Sequence, residues 1–158
     1  MAKKNNNITI NIFIIIGIVC LIISLFLTLS KNIIIDNHII EINYDSYREI
    51  IKKNEYSIII LTSATCQHCK NYKPAVNRVA NDYNITVYDL NVNSLSYNEY
   101  LEIHDKYLAL KDSYSNGRPS ILTPTTIITK NGEEVDSILN DIGYNGLVSW
   151  FKKNDIIK

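Results

Sequence analysis

A long apolar run near the N-terminus divides this chain into two parts. The run Ile8–Leu29 contains no charged residue and consists mostly of Ile, Leu, Val and Phe. About 20 apolar residues suffice for a helix to cross a bilayer. We therefore predict a cytoplasmic stub and one transmembrane anchor over residues 1–30. Residues 31–37 form a juxtamembrane linker, and residues 38–158 remain to form a single folded domain.

The charges beside the run predict its orientation. Lys3 and Lys4 precede it, whereas the stretch that follows carries Asp36, Glu41 and Asp45 after Lys31. Positive charge is retained on the cytoplasmic side of a membrane, so we expect a single-pass protein of the cell membrane with its domain outside the cytoplasm. A cleaved signal peptide would export the same domain, but the run is longer than a usual signal core and no Ala-x-Ala site follows it. Cys20 lies within the run and is interpreted as membrane filler.

Composition excludes several classes of protein. The chain has 16 basic and 16 acidic residues, and this balance argues against a nucleic-acid binder, which would need a basic surplus. Three cysteines are too few for a small disulfide-rich scaffold. With 46% hydrophobic residues, a core can form, and we expect a monomeric domain of ordinary size.

Hydrophobic periodicity predicts alternating strands and helices after the linker. Helical crossovers imply parallel strands, and Asn131-Gly132 predicts a terminal hairpin that adds an antiparallel edge. The result is an α/β domain with a central mixed sheet and helices on both faces. Residues 111–120 read as a polar loop. Strands are predicted at 38–43, 56–62, 85–91, 125–130 and 133–139, and helices at 44–53, from 63–66 to Tyr83, from Tyr100 to Leu110, and around 147–151.

The segment Cys66-Gln67-His68-Cys69 follows a buried strand and opens a helix. A helix N-terminus offers unpaired N–H groups and the positive end of a dipole, which together stabilise a thiolate. Cys66, at the exposed end, is the expected nucleophile. Cys69, one turn later, is expected to be shielded and to resolve a mixed disulfide from within. His68 adds a cation beside the sulfur, unless it is only a solvated surface residue.

Two other readings of the cysteine pair remain open at this point. Half of a zinc site would need further ligands, but no second pair exists, and His38 and His104 lack ligand spacing. A purely structural disulfide would gain little chain entropy, because the loop that it closes is very short.

The run Thr65–Lys70, with Pro74 five residues after the second cysteine, resembles the active-site helix of the thioredoxin superfamily. The Thr123-Pro124 step before a strand extends the resemblance to a thioredoxin-like fold over most of 38–153. The resemblance implies a cis Pro124 whose loop faces Cys66. An ordinary trans proline at a strand start is the alternative.

The resemblance also implies how clients bind and where electrons reside. The Thr123 backbone would pair with an extended client, next to Pro124 and to Thr65 and Gln67, which flank the nucleophile. The redox equivalents would reside in the Cys66–Cys69 disulfide, so that neither a metal nor an organic cofactor is needed.

Three departures from cytosolic thioredoxins bear on whether the protein oxidises or reduces its clients. Thr65 replaces a tryptophan, Gln67-His68 replaces Gly-Pro, and Ile60 occupies the position of a buried aspartate. A histidine before the second cysteine is similar to Dsb-type proteins and protein disulfide isomerases. We therefore expect an extracytoplasmic thiol–disulfide oxidoreductase that is an oxidant or isomerase rather than a reductant.

The expected partners are exported cysteine-containing proteins or peptides, together with an integral membrane redox protein that recycles the site. No nucleic-acid partner is expected. A tethered reductase is the alternative within this class. A non-catalytic thioredoxin-like module for export or assembly of a secreted peptide is the alternative outside it, because fold alone does not fix function.

Overall fold

The computed structural model describes residues 16–24 and 38–158, in two separate units. Residues 16–24 are helical, and Cys20 among them is an exposed free cysteine. Within the described residues, no helix is long and apolar enough to span a bilayer. The predicted stub, most of the predicted span and the predicted linker lie outside the described residues.

The second unit alternates strands with helices, as the periodicity predicts. Its α-helices each begin after a polar or cysteine N-cap, except the last, which begins after Ile142 without a side-chain cap. The strands are β1 (Ile39–Ile42), β2 (Ser57–Thr62), β3 (Val87–Asn91), β4 (Tyr114–Ser115), β5 (Arg118–Pro119), β6 (Thr125–Lys130) and β7 (Glu133–Leu139), and the helices are α1 (Tyr44–Ile51), α2 (Gln67–Tyr83), α3 (Tyr97–Lys106) and α4 (Gly143–Lys153).

The main sheet has the strand order β1-β3-β2-β6-β7, with β2 at its centre. Every residue of β2 is buried, as expected for a strand covered on both faces. Ile60 packs with α2 and α4 in one core, whereas Ile59 packs with α1 and α3 in the other. Burial of each such side chain contributes about 1.5–3 kcal/mol, so the two cores together hold all four helices on the sheet.

The direction of β6 differs from the prediction. β1, β2 and β3 are parallel, but β6 runs antiparallel to β2 although a helix precedes it. Residues 107–124 carry the chain back to the end of the sheet at which β3 finished. The expectation of a parallel strand was wrong because the crossover rule applies to a helix that leads directly into the next strand. As a consequence, β6 begins where β2 ends.

Two boundaries near this return segment also differ from the prediction. Helix α3 ends at Lys106, so Tyr107 and Leu110 lie in the turn that follows it, although both remain fully buried. Because both are buried, they continue the apolar spacing of α3, and the predicted helix therefore extended to Leu110. The predicted loop at 111–120 contains the small β4–β5 hairpin. Its turn, Asn116-Gly117, has two positive φ angles, as a tight hairpin turn requires.

Candidate active site

The strand β2 delivers the chain to the cysteine pair through a turn at residues 63–66. The helix itself begins at Gln67, and Cys66 is its N-cap with extended backbone angles. The backbone N–H of Cys69 donates to the Sγ of Cys66 across 3.0 Å. The sulfur of Cys66 therefore satisfies one of the unpaired N–H groups at the helix N-terminus, which is the position that stabilises a negative charge.

The two cysteines form a disulfide with a Cα–Cα distance of 5.3 Å. Cys69 is 2% exposed, whereas Cys66 is half-buried. The prediction that the second cysteine is the shielded one is confirmed. The first cysteine is less exposed than predicted, because a second segment of chain lies against it.

That second segment is the turn before β6. The Thr123–Pro124 peptide bond is cis, as the resemblance implies. The carbonyl oxygen of Thr123 lies 3.4 Å from the Sγ of Cys66. In the disulfide form this is a contact, and a thiol on Cys66 can donate a hydrogen bond to the same oxygen. The antiparallel direction of β6 is what brings Pro124 to the end of β2 and hence to the cysteines.

The remaining predicted site residues differ in their exposure to solvent. Thr65, Gln67 and His68 are exposed, Thr123 is half-buried and Pro124 is buried. The Nε2 of Gln67 donates a weak hydrogen bond to the Oδ1 of Asn71, one turn later, at 3.5 Å. The His68 ring forms no hydrogen bond or ion pair with another described residue, and it is exposed to solvent.

Asn93 holds the turn that precedes the cysteines, and sequence reasoning missed it. Its Oδ1 accepts hydrogen bonds from the Ser63 hydroxyl at 2.7 Å and from the Ala64 N–H at 2.9 Å. Asn93 follows β3, the parallel neighbour of β2, so both segments emerge at the same edge of the sheet. A polar residue just beyond the carboxyl end of a neighbouring parallel strand was the signal that could have identified it.

A buried carboxylate, that of Asp89 on β3, lies beneath the active-site helix α2. No role was predicted for this residue from the sequence. Asp89 is 2% exposed and faces Ile60 in the register of β2 and β3. It accepts a hydrogen bond from Thr62 at 2.6 Å and forms an ion pair with Lys73 of α2. The absence of an acid at Ile60 therefore does not leave this side of the sheet without a carboxylate. Lys73 follows Cys69 by one helical turn, so the pair ties the active-site end of α2 to the sheet.

A Lys73→Met variant should lower the free energy of unfolding by about 2 kcal/mol at pH 7, because it leaves a buried carboxylate without its cation. Urea denaturation measures this change. The loss should be much smaller in an Asp89→Asn background, where no buried charge remains. Lys52→Met, which removes the exposed pair with Glu49, is the matched control and should cost about 0.5 kcal/mol or less. Equal losses for both lysine variants would contradict the interpretation.

Helix α2 is also anchored to the strand that follows the cis-proline. The buried hydroxyl groups of Tyr72 and Thr126 are 2.7 Å apart. Burial raises the pKa of Tyr72 above its ordinary value near 10, so the phenol stays neutral at physiological pH. The bond fixes the cysteine helix and the proline strand relative to each other without adding a charge to the core.

Within residues 16–24 and 38–158, no group of three or more His, Cys, Asp or Glu side chains is arranged to hold a metal ion. His104 is fully buried, and its ring nitrogens face Asp105 and the carbonyl of Ser113.

A disulfide at the N-terminus of a helix, beside a cis-proline at the end of a mixed sheet covered on both faces, defines a thiol–disulfide oxidoreductase. Residues 38–104 match the family model described as Thioredoxin. The matched segment contains the cysteine pair and the parallel strands β1, β2 and β3, so this part of the chain is similar to thioredoxins. Among curated proteins, no sequence matches the chain.

Solved structures resemble the chain in fold. A thioredoxin of Malassezia sympodialis aligns with a TM-score of 0.54 at 17% identity, over 73% of this chain and 89% of that one. Thioredoxin f2 of Chlamydomonas reinhardtii aligns with a TM-score of 0.57 at 13% identity, over 76% and 99%. A chain from a study of thiol resolution in yeast mitochondrial 1-Cys peroxiredoxin aligns with a TM-score of 0.54 at 18% identity, over 73% and 94%.

Proposed function

We propose that this protein is an extracytoplasmic, membrane-anchored oxidoreductase that exchanges disulfides with exported proteins or peptides, as an oxidant or isomerase rather than as a reductant. The observation that carries the exchange reaction is the placement of the Cys66 sulfur. It accepts the backbone N–H of Cys69 at 3.0 Å and lies 3.4 Å from the carbonyl oxygen of Thr123. A client sulfur that reaches Cys66 therefore meets both the charge-stabilising helix end and the proline loop.

In the oxidising direction, a client thiolate attacks the Sγ of Cys66. The Cys66–Cys69 bond breaks, the client–Cys66 bond forms, and Cys69 leaves as a thiolate. A second client thiolate then attacks the client sulfur of the mixed disulfide and releases Cys66 as a thiolate. The client loses two electrons and the protein gains them.

The released Cys66 thiolate returns to the helix N-terminus, where the N–H of Cys69 stabilises it. Stabilisation of this thiolate favours the dithiol form and so makes the protein a stronger oxidant. His68, exposed two residues after Cys66, can add a positive charge on the solvent side of the sulfur. The proposed preference for oxidation or isomerisation depends on this histidine.

The turn before β6 is the proposed contact surface for clients. The backbone N–H of Thr123 has no hydrogen-bond partner among the described residues. An extended client strand can accept that hydrogen bond while its sulfur lies against Cys66, which is a form of strand addition. Thr65 and Gln67, both exposed, would line the other side of the client, and Pro124 would shield the disulfide from below.

The anchor and the recycling partner are inferred from the sequence. The apolar run Ile8–Leu29 and the basic residues before it support a tether with the domain outside the cytoplasm. The dithiol that each oxidation leaves behind must be reoxidised by an electron acceptor. An integral membrane thiol oxidase in the same bilayer fits a tethered domain.

The reduction potential of the domain tests whether it acts as an oxidant or as a reductant. At equilibrium with glutathione buffers, we expect a potential well above the value of about −270 mV for thioredoxin and nearer to about −120 mV. His68→Ala removes the side chain that can carry a positive charge beside Cys66, so the potential should fall by about 30 mV or more. Gln67→Ala changes a neighbouring exposed side chain that carries no charge and is the matched control. A wild-type potential near −270 mV would identify a reductant instead.

A further inference from the structure

Helix α3 contacts the segment that leads to the cis-proline through two polar side chains one turn apart. The hydroxyl oxygen of Tyr100 accepts the backbone N–H of Ile121 at 2.5 Å. The Nε2 of His104 lies 2.9 Å from the carbonyl oxygen of Ser113. Residues four apart on a helix share a face, so both side chains hold the same stretch of chain from the same side.

Both ring nitrogens of His104 face hydrogen-bond acceptors. Nδ1 lies 2.8 Å from the carboxylate of Asp105, and Nε2 faces the carbonyl oxygen of Ser113. Neither partner can donate, so both bonds form together only when the imidazole is protonated. His104 is fully buried, and a neutral ring must leave one of these contacts without a proton. A ring with its proton on Nε2 keeps the bond to the Ser113 carbonyl, so His104 holds the segment through that oxygen.

The Ser113 carbonyl lies at the open end of the β4–β5 hairpin, next to the first residue of β4. It also accepts the backbone N–H of Ser120 at 2.8 Å, so one oxygen closes the hairpin and joins it to α3. The ring of Tyr114 packs edge-on against His104, with 5.5 Å between ring centroids. Asp105 from α3 is thus the charged group that faces the imidazole, and Ser113 and Tyr114 face it from the hairpin.

The hold extends to the turn that faces the cysteines. Ile121 is 6% exposed and is fixed by Tyr100, and Leu122 follows it. The Leu122 carbonyl oxygen accepts the hydroxyl of Thr125 at 2.6 Å, which ties the other end of the turn to β6. Thr123 therefore lies between two anchored residues, with its carbonyl oxygen against the Cys66 sulfur.

We propose that Tyr100 and His104 are positioning residues for disulfide exchange, which hold the Thr123 turn against Cys66. They touch neither sulfur and act through Ile121 and Ser113. This inference rests on the proposed function, because it requires that clients bind at the Thr123 turn.

The kinetic test uses the full chain and a peptide disulfide client. Tyr100→Phe should raise KM for the peptide about fivefold with kcat within twofold of wild type, because the turn is displaced while the sulfurs are not. Tyr97→Phe, on the same helix but 71% exposed, is the matched control and should change neither constant. An unchanged KM in Tyr100→Phe would overturn the proposal.

A second pair of variants tests His104. His104→Leu removes the donor to the Ser113 carbonyl, so KM for the peptide should rise about fivefold with kcat within twofold of wild type. His104→Gln keeps an amide that can donate to the same oxygen and should stay within twofold of wild type in both constants. An unchanged KM in His104→Leu, or an equal rise in both variants, would overturn the role of His104.

A measurement without any client separates this inference from the proposed function. Amide hydrogen exchange at Ile121 should be at least tenfold faster in Tyr100→Phe than in wild type, and unchanged protection would overturn the inference. If wild type equilibrates with glutathione but exchanges disulfides with no peptide, the proposed function fails. The hydrogen-exchange measurement still shows whether Tyr100 holds the segment at Ile121.

Discussion

A Cys66→Ser variant is expected to lose disulfide-exchange activity by at least about 10³-fold, because a serine hydroxyl is not ionised at neutral pH and cannot form the mixed disulfide. The fold should be retained. Serine is a preferred N-cap residue, and its oxygen can accept the Cys69 N–H that the sulfur accepts now. Turnover of a fluorescent peptide disulfide at pH 7, together with a thermal denaturation curve, measures both effects.

The matched control is Cys20→Ser, which removes an exposed free cysteine outside the domain. Its activity should remain within about twofold of wild type. A Cys66→Ser variant that binds peptide and supports the cellular phenotype unchanged would show that the chain works as a binding module. The exchange chemistry would then be dispensable.

A Cys69→Ser variant is expected to accumulate covalent complexes with its clients, at a level at least about tenfold above wild type. Cys66 keeps its position at the helix N-terminus and still forms the mixed disulfide. The buried sulfur that would resolve the complex from within is gone. The full chain is expressed in cells, thiols are quenched with acid and alkylated, and non-reducing electrophoresis separates the adducts.

The double variant Cys66→Ser/Cys69→Ser should form no adducts, because its first sulfur is also missing. The identity of the trapped clients tests the proposed location. Exported proteins are expected, whereas adducts with cytosolic proteins would place the domain on the other side of the membrane. Absence of any adduct would count against the proposed exchange with protein clients.

Local patterns were sufficient for the parts of the fold that short segments determine. The all-apolar strand before Cys66 is buried on both faces, and Asn131-Gly132 forms the turn between β6 and β7. The shielding of Cys69 follows from its position one turn inside a helix that packs on the sheet. In each case the neighbours in sequence are also the neighbours that matter in space.

Contacts between distant segments were beyond the sequence. Asp89 and Lys73 lie on different elements, and nothing in their spacing predicts an ion pair beneath α2. Tyr100 and His104 look like residues of an ordinary amphipathic helix until Ile121 and Ser113 are seen against them. The helical spacing of buried residues beyond Lys106 misled the prediction, because burial continued after the helix had ended.

The sequence by itself determined the chemistry of this protein: two cysteines one turn apart at the start of a helix, and an X-Pro step before a strand, because helix capping and proline geometry are local properties. Only the tertiary structure decided that these two features meet. β6 lies antiparallel to β2 and so brings Pro124 to Cys66. The direction of a strand depends on the path of the whole connecting segment and on what covers the two faces of the strand. No short window of residues contains that information.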